Sequence, residues 1–197
     1  MKRHLVIVVI AVLAGLGACS PQEPEVVHMI ADYPPYDLAG LYGEAALVVE
    51  GRVVSTASTL LLPQPPEGDT PEENPLLGLS DDEIKQALSS DNGVPATEVR
   101  FEVTVVHHGD ATPGDIVTFN QTGGRVDSTL YVDDAVPLVV SGSDYLLFLG
   151  QTGDRLNILG GSAGLYEPSG AGTFTAVNPD HAPIAQLSVD DLSRALD

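Results

Sequence analysis

From Thr97 to Val106 apolar and polar residues alternate without a break: Val99, Phe101, Val103 and Val105 interleave with Glu98, Arg100, Glu102 and Thr104. Successive side chains of a strand point to opposite faces, so this stretch predicts a β-strand with one dry face and one wet face. Such a strand needs a sheet to join, and much of the remaining pattern supplies one.

Ala46 to Ser55 is too β-branched for a good helix. Leu47, Val49 and Val53 share one face there, while Glu50 and Arg52 share the other. Gly51 falls on the inner face, where a bulge or a sharp barrel bend uses a missing side chain. Asp115–Asn120, Ser128–Val132, Asp144–Leu149 and Phe174–Val177 predict further strands. Arg155–Leu159 pairs with Asp144–Leu149 across the turn sequence Gln151-Thr152-Gly153-Asp154. Three short helices are expected: Asp37–Glu44 with Asp37 as N-cap, 81–89 with the Ser80/Glu83 capping box, and a C-terminal one after Ser188. Between the first two strands, residues 62–93 gather five prolines and many acids, an exposed and partly disordered excursion. The fold class is therefore mainly β, a small antiparallel barrel or sandwich with two or three short helices.

The order of these stretches carries a resemblance. A short helix leads into LVVEGRVV, followed by VRFEVTVV ending in HHGD, then DIVTFN, then a glycine and DYLLFL. Over roughly residues 37–150 this layout resembles the netrin and tissue-inhibitor-of-metalloproteinase modules, which implies an OB-like barrel. Those inhibitors act through a free N-terminal cysteine and disulfides. Cys19 is the only cysteine here, so the resemblance implies a fold and not that activity.

The amino terminus carries a different signal. Lys2 and Arg3 precede Leu5–Ala18, a run of apolar or small residues. At about 1.5 Å per residue this run spans about 21 Å as a helix, short of the roughly 30 Å hydrocarbon core. It reads as a removed leader rather than an anchor. Leu16-Gly17-Ala18-Cys19 resembles the lipobox of a bacterial lipoprotein, with Gly17 where that family more often has Ala or Ser. The resemblance implies a diacylglyceryl thioether on Cys19, cleavage before it, and acylation of the new amino terminus by a fatty chain such as palmitate. The expected organisation is a signal peptide over 1–18, a lipidated Pro-rich tether over 19–36 and one β-rich domain over 37–197. At roughly 3.3 Å per residue its extended part, Ser20 to about Pro35, would reach up to about 50 Å.

Charge narrows the partners. The chain has 8 basic and 28 acidic residues, a net charge of −20, and the leader removes two of the bases and no acid. Phosphate binding needs a basic stripe, so nucleic acid is excluded as a partner. Anionic headgroups are equally unfavourable, which leaves the lipid on Cys19 to hold the chain at a membrane. Trp is absent and aromatics are 5% of the chain, which argues against a stacking platform for sugars or single-stranded nucleic acid.

Three motifs carry chemistry on paper. Gly160-Gly161-Ser162-Ala163-Gly164 matches G-x-S-x-G, the nucleophile elbow of serine hydrolases, with His181 as the only downstream histidine. Pro168 and Gly170 follow too closely for the helix that elbow requires. His107, His108 and Asp110 are metal candidates at a strand end, but adjacent strand residues face opposite ways. The acidic runs Asp81-Asp82-Glu83, Asp133-Asp134 and Asp190-Asp191 lack the alternating spacing of a calcium loop. The expectation is a non-enzymatic, lipid-anchored extracytoplasmic binding or envelope-interaction protein that uses no cofactor. A secreted serine hydrolase using Ser162 and a divalent-cation-binding surface protein stand as alternatives, with a protein or cation as possible partner.

Overall fold

A computed structural model describes residues 25–66 and 68–195. The leader and Cys19 lie outside the described residues.

The alternating stretch belongs to β3 (Val94–His108), which pairs antiparallel with β2 (Leu47–Leu61) along almost its whole length. Both strands run beyond their sequence-predicted ends, so the excursion of 62–93 caps a long hairpin. β4 (Ile116–Thr122) follows on β3, and β7 (Asp144–Thr152) adds to the other side of β2 over Leu47–Arg52. β8 (Arg155–Ile158) turns back from β7 at Gly153 and also meets β4 in parallel at Asn120↔Asn157. The ring β7-β2-β3-β4-β8 is thereby closed, a five-stranded OB-like barrel. The expected antiparallel pairing holds except at that one seam and at β1 (below).

Gly51 makes the closure possible. It is buried, and the β2–β3 register shifts beside it. A Cβ at this position would run into the Glu102 carbonyl and the Phe101 ring. The missing side chain lets the two backbones approach while the hairpin coils.

β7 explains its own apolar sequence. Tyr145, Leu147 and Leu149 face the barrel core with Val49, Phe101 and Phe119. Leu146 and Phe148 face a second core with Leu41, Tyr166 and Phe174. A strand buried on both faces reads as a continuous hydrophobic run rather than an alternation. The second core is roofed by α1 (Leu38–Glu44), β9 (Leu165–Gly170), β10 (Thr173–Ala176), β11 (Gln186–Ser188) and α3 (Val189–Arg194). Each fully buried Leu or Phe in these cores contributes roughly 1.5–3 kcal/mol.

The three helices start where capping chemistry places them. Asp37 Oδ1 accepts the Gly40 amide at 2.7 Å. Ser80 and Glu83 form the capping box of α2 (Asp81–Ala87), and Ser188 and Asp191 form that of α3. Two of the acidic runs thus sit at helix starts, where they satisfy free backbone amides.

The tether is corrected in one respect. From Glu25 it is extended but docked: β1 (Glu25–Met29) pairs in parallel with β6 (Thr129–Asp133), and β5 (Gly124–Val126) completes a three-stranded sheet. The excursion, too, carries local structure, with α2 and a 3-10 turn at Ser90–Asn92.

Two consequences are measurable. Gly51→Ala should lower stability by at least about 2 kcal/mol, read by denaturant unfolding, because backbone has to move to admit the methyl group. Arg52 grips Asp144 through two 2.7 Å hydrogen bonds across β2 and β7, and these hold the Asp144 carboxyl below its ordinary value of 3.8. Both groups are about half exposed, so Asp144→Asn should cost less than about 1 kcal/mol. A carboxyl lowered on folding stabilises above its unfolded value and loses that contribution as pH falls through its folded one. The melting-temperature gap between wild type and Asp144→Asn should therefore be present at neutral pH and close below pH 3.8.

Candidate functional site

The G-x-S-x-G match occupies the turn between β8 and β9, so a strand follows it where an elbow needs a helix. Gly160 (φ 57°) and Gly161 (φ 63°) adopt left-handed backbone. A Cβ on Gly160 would strike the Tyr36 ring, and one on Gly161 the Tyr33 ring. The two glycines are the seats of two tyrosines. Ser162 is fully buried and its Oγ has no hydrogen-bond partner among the described residues. A nucleophile needs access and a base, and this hydroxyl has neither.

The metal candidates part company in the same way. His107 Nε2 lies 2.8 Å from Glu50 Oε1, tying the end of β3 to β2, and its carbonyl accepts the Tyr42 hydroxyl at 3.0 Å. His108 is exposed and packs edge-on to the Tyr42 ring at 5.2 Å. Asp110 is exposed in the following turn. Among the described residues no three His, Cys, Asp or Glu side chains converge on a point that could hold a metal. Asp133 instead accepts the Ala135 amide and the Tyr33 hydroxyl, and Asp134 pairs with His28 at 3.1 Å.

The structure offers a different site, a cleft of about 300 Å³ at the barrel seam, where β4 and β8 meet. Single-point pairing at Asn120↔Asn157 leaves the two strands splayed on either side. The root of the excursion closes one end: Gln64 donates to Asp154 at 3.1 Å, and Arg155 donates to the Leu62 carbonyl at 3.2 Å. Tyr33 and Val136 close the other, above Leu156 and Ile158.

Several polar groups on this surface are already occupied. The Gln121 carboxamide is spent on the Pro137 carbonyl (2.7 Å) and the Val139 amide (3.0 Å), which pins the loop before β7. The Tyr33 hydroxyl donates to Asp133 at 3.3 Å. Burial first, and the Asp133 carboxylate next, push that phenol up to about 12, so it stays a neutral donor. Asn120 has no side-chain hydrogen bond among the described residues, and Asn157 uses only its carbonyl oxygen, for Thr152 at 3.3 Å. Both residues line the cleft and keep hydrogen-bonding capacity to spare. A shallower depression adjoins it, sharing Tyr33, Asn157 and Gly161 and running on to Tyr36 and Glu44.

No protein-family model matches the chain, and no curated protein matches it. The strands around it were legible in sequence, but the site was not. Tyr33-Pro34-Pro35-Tyr36 falls within the expected tether, and its sequence signal is two aromatic residues in a Pro-rich segment. Nothing in the sequence joined that segment to Gly160-Gly161.

Ser162→Ala should leave stability unchanged or raise it by up to about 1–3 kcal/mol, since it removes a buried hydroxyl without a partner. Thermal unfolding checks this, and a fluorophosphonate probe should label neither form.

Proposed function

We propose that the chain is a lipid-anchored extracytoplasmic protein that works by binding, with the seam cleft as its binding face and acyl chains on Cys19 as its hold on the membrane. The observation that carries the binding half is the cleft, a concave, mostly apolar surface with a few unspent polar groups, the ordinary composition of a small-molecule site. Its lining includes no Asp, Glu, His, Lys or Cys, so the hydroxyls of Tyr33, Thr122 and Thr152 have no side-chain base beside them among the lining residues.

The lipobox supports the anchored half. No described helix is long and apolar enough to cross a membrane. Two or three acyl chains on one residue hold far more firmly than a single chain, which binds only reversibly. The acidic chain gains nothing from anionic headgroups, so the lipid alone secures it. Docking of β1 also shortens the leash. Only Cys19 to Pro24 remain before Glu25, and six residues extend to about 20 Å, not the 50 Å of a free tether. The protein is thus held close to the bilayer.

Intact-mass measurement of the membrane-extracted protein should show a chain beginning at Cys19 and carrying two or three acyl chains. Cys19→Ser should release it from the membrane fraction. A wild-type chain retaining Met1, or cleaved and unacylated, overturns the reading.

A further inference from the structure

Of the thirteen residues lining the seam cleft, Arg155 alone is charged, in a chain with 28 acids. A cation would find no carboxylate there. An anion would find one guanidinium, already committed in part to the Leu62 carbonyl and following Asp154 in the turn. The unspent groups are the carboxamide of Asn120 and the amide nitrogen of Asn157, while the Thr122 hydroxyl beside them is engaged with the Tyr33 phenol. Carboxamides and hydroxyls both donate and accept, and so does a ligand hydroxyl. The remaining surface, Leu61, Leu156 and Ile158 with the Tyr33 ring, suits the C–H face of a ring.

We propose that the cleft binds an uncharged, polyhydroxylated ligand of one or two rings, a mono- or disaccharide. This rests on the binding reading above and names the ligand class of the same site. A cavity of about 300 Å³ is at the bottom of the range for small-molecule sites, which limits the ligand to that size. An extended peptide is read mainly by a free strand edge and would have to use the stretches of β4 and β8 left unpaired beside Asn120↔Asn157; the blocked dipeptide below tests for it. The scarcity of aromatic residues still excludes a stacked platform; recognition here runs through carboxamides, with Tyr33 as the single aromatic wall.

The test is saturation-transfer NMR and calorimetry on the full-length chain in a non-glycosidic detergent. The probes are maltose, cellobiose and N,N′-diacetylchitobiose, with glucosamine and galacturonate disaccharides as charged comparators and N-acetyl-Ala-Ala-amide as a peptide. At least one neutral disaccharide should bind, more tightly than either charged comparator. Asn120→Asp and Asn157→Asp, made separately, should each weaken it tenfold or more, because each removes a donor and adds a charge without changing shape. Gln86→Glu makes the same chemical change on the exposed face of α2 and should leave affinity unaltered. Thermal unfolding of each variant separates lost binding from lost fold. No binding of any neutral disaccharide at millimolar concentration overturns the proposal, as does binding that survives both substitutions in folded protein. Preference for the blocked dipeptide overturns the saccharide class but leaves a binding protein. Failure of the anchored reading shows in the mass and fractionation of Cys19→Ser, which this titration does not touch.

Discussion

The close approach of β2 and β3 at Gly51 is the constraint on which the rest of the structure depends. β2 has to pair with β3 along its length and yet give its other edge to β7 only over Leu47–Arg52. A flat ribbon cannot do both and still bring β4 round to β8. The register shifts around Glu50/Gly51 and Val53/Ser55 add the twist that closes the ring. Closure is achieved but not zipped: the last strands meet at one residue pair, and the gap beside that pair is the cleft. The bend in β2 and the opening at the seam are thus two ends of one geometric requirement.

What the sequence made legible was local. The period-2 pattern over 97–106, the apolar run over 144–149 and the capping residues Asp37, Ser80 and Ser188 each state their structure within a few neighbouring residues, and each element formed. What stayed hidden depends on partners far away in the chain. β1 is a strand only because β6, about a hundred residues later, pairs with it. Tyr33 and Tyr36 are wall residues only because Gly160 and Gly161 lack side chains. The G-x-S-x-G match shows the same limit from the other side. Its glycines are required for backbone conformation and for tyrosine packing, and a local motif cannot tell those reasons from a catalytic one.

The docked segment joins the ends of the molecule that matter for the proposed function. The stretch that leads away from Cys19 becomes β1, then passes through Tyr33-Pro34-Pro35-Tyr36, then enters α1, which roofs the second core. Tyr33 faces the cleft and bonds Asp133 at the end of β6. In the proposed arrangement the segment that would lie nearest the membrane also supplies a wall of the cleft. Prolines suit this position: they fix φ and need no hydrogen-bond partner for a missing amide.

Charge is distributed so that the surface and the cleft select in the same direction. Among the described acids only Asp133 is buried, many others lie on the excursion and at helix starts, and none lines the cleft. Their summed field disfavours approach by anions, while at physiological ionic strength it fades over about 8 Å. Inside the cleft the local groups decide, and no carboxylate lines it: the nearest, Asp133 and Asp154, are turned to Tyr33 and Gln64, so a cation must shed its water without direct coordination by a countercharge. An anion is therefore disfavoured on approach and a cation on entry. A neutral ligand escapes both penalties, and the carboxamides of Asn120 and Asn157 replace the hydrogen bonds it gives up to water.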